Sequence, residues 1–186
     1  MKKQDLDQSE ARSAEPALPD GDLAFLQEVS IFAGLSEAQL RRMRGVMRKE
    51  HFAPGSVVVR EGDVGNAMYI LEEGTVDISK TLMLRVGRHD IGQREKTMAR
   101  LSGEHHAFFG EMAMLERDGR SATVRAVTPC WLFVIEREDF ERVCEEDPRM
   151  GYRIVTHISR AVSGRLRSTN QDVLKLTTAL SMALRR

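Results

Sequence analysis

The run Phe109-Gly110-Glu111-Met112-Ala113-Met114-Leu115, followed by Arg120-Ser121-Ala122-Thr123-Val124, decides how this 186-residue chain reads. It places a Gly-Glu turn, a short apolar helix and an arginine within one loop. The first amides of a helix have no intrahelical acceptor and sit at the positive end of its dipole, so they bind anions. Gly110 lets backbone approach a ligand without a side chain in the way. Arg120 can close on the same anion with paired, charge-assisted hydrogen bonds. A carboxylate beside a bound phosphate is unfavourable for phosphate alone, but Glu111 fits if it accepts hydrogen bonds from sugar hydroxyls. These groups together describe a pocket for a ribose carrying one phosphate anion.

Around this loop the sequence has the texture of short strands, from His51 to Glu136. Pro54-Gly55, Glu61-Gly62-Asp63, Gly65-Asn66 and Glu73-Gly74 punctuate it as turns. Met68, Ile70, Val76 and Ile78 alternate at period two, and Val124-Ala126 and Trp131-Phe133-Ile135 read as later strands. Strands this short and frequent predict a barrel or jelly roll, a closure that also hides strand edges. Thr81 to Arg100 reads as a strand, a charged exposed loop and a return strand.

Helices flank this region. Residues 1–20 are polar and charged and are expected to form a disordered tail. Leu23, Leu26 and Val29 follow at helical spacing. Ser36 with Gln39 reads as a capping box opening a second helix, with Leu40, Met43 and Met47 on one face. Residues 21–50 are therefore N-terminal helices, expected to lie over the sheet. Residues 51–136 are the strand domain, and 137–186 are a short hinge helix and a long one. Asp147-Pro148 breaks the first, and Pro restarts the second well. Val155, Ser159, Val162, Leu166, Thr169, Val173, Leu176, Leu180 and Ala183 recur in steps of four and three. That narrow heptad seam predicts a twin helix, hence a homodimer through residues 149–184.

Composition narrows the function. Lys plus Arg equals Asp plus Glu at 28 each, so DNA binding is not expected. The longest apolar run, Cys130 to Ile135, is far short of a membrane helix. Cys130 and Cys144 form no disulfide framework, and a cytoplasmic location is expected. Adjacent His105 and His106 are a poor metal signal, and no catalytic Ser-His-Asp or Cys-His set has support. The expectation is no metal and no enzyme activity.

The chain resembles the cyclic-nucleotide-binding domain, the module of the catabolite activator protein family and of cAMP-dependent kinase regulatory subunits. The resemblance rests on the pattern F-G-E-x-A, spacer, R-[ST]-A-[TS]-V, matched at Phe109, Gly110, Glu111, Ala113, Arg120, Ser121, Ala122, Thr123 and Val124. Phe52-x-Pro54-Gly55, Glu61-Gly62-Asp63 and Tyr69-Ile70-Leu71-x-x-Gly74 extend it over about residues 30–175. It implies a β-roll with flanking helices. It also implies a phosphate and ribose site at Gly110, Glu111, Met112, Ala113, Arg120, Ser121 and Ala122. In that site Glu111 takes the ribose 2′-hydroxyl and Arg120 the equatorial phosphate oxygen. Thr169 and Asn170, after Arg165-Leu166, correspond to the pair that reaches the adenine amino group, with Asn170 replacing a serine. The implied ligand is cAMP, with cGMP as the alternative. Before the cassette, Gly103-Glu104-His105-His106-Ala107-Phe108 is two residues longer than the family pattern. The chain ends about where a helix-turn-helix would begin, so the expectation is a stand-alone sensor that moves its C-terminal helix and signals to a downstream protein partner. The competing reading is a ligand-independent dimeric scaffold that keeps the fold.

Overall fold

Strands of one sheet alternate their side chains between two cores, one shared with a second sheet and one with the helices, and that alternation sets the architecture. The computed structural model describes residues 20–85, 91–116 and 119–184. Two antiparallel four-stranded sheets form a roll. One has the order β1-β8-β3-β6, from β1 (Met47–Phe52), β8 (Cys130–Glu136), β3 (Ala67–Glu73) and β6 (Phe108–Phe109). The other has the order β2-β7-β4-β5, from β2 (Val57–Val59), β7 (Thr123–Ala126), β4 (Thr75–Arg85) and β5 (Ile91–Ser102). Between the sheets lie Leu71, Val76, Phe109, Val124, Ala126, Cys130 and Leu132. The opposite face of the first sheet presents Met68, Ile70, Phe133 and Ile135 to the helices. Strand β8 is apolar on both faces because it serves both cores, which is why it forms the longest apolar run of the chain.

The helical lead lies over the first sheet. Helix α1 (Asp20–Glu28) contributes Leu23 and Leu26, a 3₁₀ turn contributes Ile31 and Phe32, and α2 (Glu37–Gly45) contributes Leu40 and Met43. Helix α2 opens with the capping box read from the sequence: the Gln39 amide donates to Ser36 Oγ at 3.3 Å, and the Ser36 amide donates to Gln39 Oε1 at 3.0 Å. One boundary differs from the sequence reading. Met47 begins β1, opposite Ile135, four residues before the expected start of the strands at 51. It reaches the same core as Leu40 and Met43, but from a strand, so its helical spacing misleads. Of the expected tail, residues 1–20, all but Asp20, the first residue of α1, lie outside the described residues. Strands β4 and β5 pair from Thr75↔Ser102 to Arg85↔Ile91 as one long hairpin, and the tip of the expected charged loop also lies outside the described residues.

Helix α4 (Arg137–Glu146) leads to the 36-residue α5 (Pro148–Ala183), about 54 Å long. Met150, Ile154 and Ile158 bury its first third against the helical core. Beyond them Leu166, Val173, Leu176 and Leu180 of the predicted seam are 55–71% exposed. Asp147 caps α5. Its carboxylate accepts from the Gln39 side-chain amide at 2.8 Å and from the Met150 backbone amide at 3.1 Å. Those two hydrogen bonds, the Gln39 one foremost, hold its pKa below the ordinary 3.8. A depressed carboxyl stabilises the fold fully above its unfolded pKa and loses that contribution as pH falls through the folded value. Acid unfolding followed by circular dichroism is thus expected to begin below about pH 4, and Asp147→Asn is expected to flatten that limb.

Cys144 packs behind α5, where its side chain would meet any Cβ added at Gly151. Burial, reinforced by Asp147 and Glu141, pushes its thiol up to about 11. The thiolate is the nucleophile, so Cys144 is expected to resist iodoacetamide at neutral pH in the native protein and to react on denaturation.

Candidate ligand site

Strand β6 is only two residues long, but its pairing fixes the site. Phe109 lies opposite Tyr69 of β3, and their rings stack with centroids 5.1 Å apart. The chain then turns at Gly110, whose φ of 78° lies in the left-handed region. A Cβ there would sit 3.0 Å from both the Ala67 carbonyl oxygen and Arg120 Nη1, so glycine is required for conformation and for space. The four-residue helix α3 (Met112–Leu115) follows directly.

Arg120 is anchored through backbone and side chain. Its amide donates to the Asp63 carbonyl at 2.8 Å, and its carbonyl accepts from the Gly62 amide at 2.9 Å. The guanidinium donates from Nη1 to the Ala67 carbonyl at 2.7 Å and lies 5.6 Å from the centre of the Tyr69 ring. Burial raises the Tyr69 phenol above its ordinary 10, so the ring beneath Arg120 is neutral at physiological pH. Gly65 makes room on the other side, since a Cβ there would fall 2.4 Å from Arg120 Nε. Gly65→Ala is expected to leave the fold intact and displace the guanidinium. Titration calorimetry should then show nucleotide affinity lower by about fivefold to tenfold, roughly 1–1.4 kcal/mol.

Glu111 is 6% exposed, and its partner is Arg165 of α5. Arg165 Nη1 donates to Glu111 Oε1 at 2.7 Å, and Nη2 donates to the Phe108 carbonyl at 2.8 Å. The guanidinium also stacks 4.8 Å from the Phe108 ring centre. One side chain therefore ties the long helix to the cassette. It uses one carboxylate oxygen, Oε1, and among the described residues no hydrogen bond reaches Oε2.

These groups enclose a cavity of about 270 Å³. Gly110, Glu111, Met112, Arg120, Ser121 and Ala122 line it, with Val59, Ile78 and Val124 as the apolar floor. Six of the seven residues expected at the phosphate and ribose are thus brought together, and the seventh, Ala113, follows Met112 in α3. Thr169 and Asn170 are not in the wall. Both are exposed, and the Thr169 hydroxyl donates to the Arg165 carbonyl at 3.0 Å within its own helix. His105 is exposed, and His106 leans its ring against Phe25 with centroids 5.3 Å apart. Among the described residues, no three His, Cys, Asp or Glu side chains are grouped to hold a metal ion.

The sequence reading missed Gly65 as anything but a turn, and Arg165 as anything but a spacing marker. For Arg165 the signal was present. Ile154, Ile158 and Arg165 recur on one face of α5, so a cation occupies the next place on a buried stripe.

A two-sheet roll with an acid and an arginine facing one small cavity is the framework of a ligand-binding domain. Residues 49–147 match the cyclic nucleotide-binding domain family, and the chain belongs to it. Among the relatives is a cGMP-dependent protein kinase of Toxoplasma gondii, 37% identical over 119 residues that make up 64% of this chain and 10% of that one. The fold matches the Thermus thermophilus catabolite activator protein with a TM-score of 0.67 at 24% identity, over 80% of this chain and 63% of that one. It also matches the regulatory domain of Toxoplasma gondii protein kinase A, solved with cAMP. That TM-score is 0.62 at 26% identity, over 77% of this chain and 49% of that one. The chain spans about a third or less of the length of the curated relatives it matches. No helix among the described residues is long and apolar enough to cross a membrane.

Proposed function

We propose that this protein is a cyclic nucleotide sensor, with cAMP as its preferred ligand, and that it signals through α5. The observation that carries this reading is the Glu111–Arg165 pair, which joins the sugar side of the cavity to the long helix. In this reading Arg120 and Ser121 take the cyclic phosphate, and the open side of Glu111 takes the ribose hydroxyl. Pockets for drug-sized ligands run to about 300–1,000 Å³. At about 270 Å³ the cavity has room for the sugar and phosphate, which sends the base outward toward α5. Adenine then meets Thr169 and Asn170 when the helix seats over it, and the ligand shifts α5 by as much as its affinity differs between the two placements. The exposed seam from Leu166 to Leu180 supports pairing of two such helices in a homodimer.

Calorimetric titration with cAMP, cGMP and 5′-AMP tests the reading. Binding of cAMP ahead of both competitors is expected, and absence of heat or thermal shift with either cyclic nucleotide would leave the scaffold reading in its place. Thr169→Ala with Asn170→Ala is expected to narrow the cAMP-to-cGMP ratio, while cAMP still binds through Arg120.

A further inference from the structure

Charge along α5 is segregated in a way that the ligand site does not use. The chain as a whole balances 28 cations against 28 anions. Yet from Pro148 to Gln171 the helix carries Arg149, Arg153, Arg160, Arg165 and Arg167 with no Asp or Glu. Its first turn has no acid and holds Arg149, although a cation there opposes the helix dipole. Two of the five arginines have structural work, since Arg165 binds Glu111 and Arg153 donates to the Gly34 carbonyl. Arg149, Arg160 and Arg167 are exposed, and none makes a side-chain hydrogen bond or ion pair among the described residues.

Arg160 and Arg167 are seven residues apart, so they share one face of α5 at about 10.5 Å along its axis. They share one open face of this helix with Thr156 and Ser163, beside the seam residues Val155 and Ser159. Tyr152 is 74% exposed on that face. Each arginine follows a seam residue, Ser159 or Leu166, and is rotated about 100° from it, so pairing of two copies along the seam leaves both outside.

We propose that this face of α5 docks an acidic helical segment of a partner protein. Carboxylates two turns apart on such a helix match Arg160 and Arg167, each of which can grip one of them with two parallel hydrogen bonds. Tyr152 supplies a large, stiff aromatic surface of the kind that anchors interfaces. A continuous polyanion fits less well, because α4, packed against the start of α5, carries Glu138, Asp139, Glu141, Glu145 and Glu146. A short acidic helix over residues 152–167 can avoid them. The docking surface deepens the signalling role proposed for α5 by giving the partner's chemistry, and it rests on that role only for its coupling to nucleotide.

The test uses the full chain and two fluorescein-labelled synthetic helices of identical composition. One places glutamates seven residues apart on one face beside leucines; the other has the same residues shuffled. In fluorescence anisotropy the aligned helix is expected to bind at least about tenfold tighter than the shuffled one, with affinity falling as salt rises. Arg160→Glu with Arg167→Glu is expected to abolish that preference, and Arg160→Gln with Arg167→Gln to weaken it, while both variants titrate cAMP as wild type does. Equal binding of the two peptides, or undiminished binding by the charge-reversed protein, would overturn the proposal. So would tighter binding to duplex DNA or phosphatidylserine vesicles than to the aligned helix. Loss of cAMP binding in the wild-type protein would instead strike the sensor reading and leave the peptide result standing.

Discussion

Arg120→Ala is expected to weaken cyclic nucleotide binding by about one to two orders of magnitude. A hydrogen bond to a charged group contributes about 1.5–3 kcal/mol, and each 1.4 kcal/mol is roughly a factor of ten in Kd. Arg120 is tightly placed. It lies between Gly65 and Gly110, where a Cβ on either would crowd the guanidinium, and above a neutral Tyr69 ring. Its Nη1 is held by the Ala67 carbonyl, which leaves the rest of the fork available to an anion. Arg120→Lys keeps the charge but loses the fork, so it should recover only part of the affinity. Arg120→Ala also removes the donor to the Ala67 carbonyl, so stability should fall by about 1 kcal/mol, while the main-chain bonds to Gly62 and Asp63 remain. Calorimetry on the two variants decides the matter: unchanged affinity in Arg120→Ala would mean that the anion sits elsewhere.

Arg165→Ala is expected to destabilise the protein even without ligand. It strands the Glu111 carboxylate, which is 6% exposed, and removes the donor to the Phe108 carbonyl. Breaking a fully buried pair costs about 3–5 kcal/mol, but the Arg165 side chain is 45% exposed and solvent screens its share. We expect about 1–2 kcal/mol, a fall in Tm of roughly 2–8 °C for a domain of this size. Arg165→Lys should not restore it, because one ammonium cannot reproduce two parallel bonds to Glu111 and Phe108 together with the stacking on the Phe108 ring. Hydrogen exchange separates this from a general loss of stability. Protection should fall first in α5 beyond Ile158, where Arg165 is the polar tie to the roll beside the packing of Ala161 and Val162. Equal loss across both sheets would show that Arg165 only supports the fold.

Local signals carried most of the architecture. The capping box at Ser36 and Gln39, the Asp147-Pro148 start of α5 and the period-two strands are written in neighbouring residues, and the structure realises them. The strand boundary at Met47 was not legible. Its spacing from Met43 suits a helix face, and only pairing with Ile135 of a strand more than eighty residues away makes it β. The cassette was legible because its residues are contiguous in two blocks, so their chemistry could be read together. Gly65 was not, because it acts on a residue 55 positions away, and for Arg165 the stripe of Ile154 and Ile158 marks a buried position but not the partner 54 positions away. Thr169 and Asn170 show the reverse case: the resemblance assigns them to the base, while α5 as folded holds both away from the cavity.

By itself the sequence determined a domain of short strands with helical flanks, a Gly-Glu turn followed closely by an arginine, and a long helix bearing an apolar seam. Each of these depends on periodicity, caps or adjacent chemistry, which act within a few residues. Tertiary structure alone decided that Glu111 answers to Arg165 rather than Arg120, that Gly65 is the space in which Arg120 sits, and that the arginines of α5 divide between internal partners and open solvent. Those outcomes depend on which groups meet after the sheets close. An ion pair is set by distance in space and by burial, and neither is encoded at any single position of the chain.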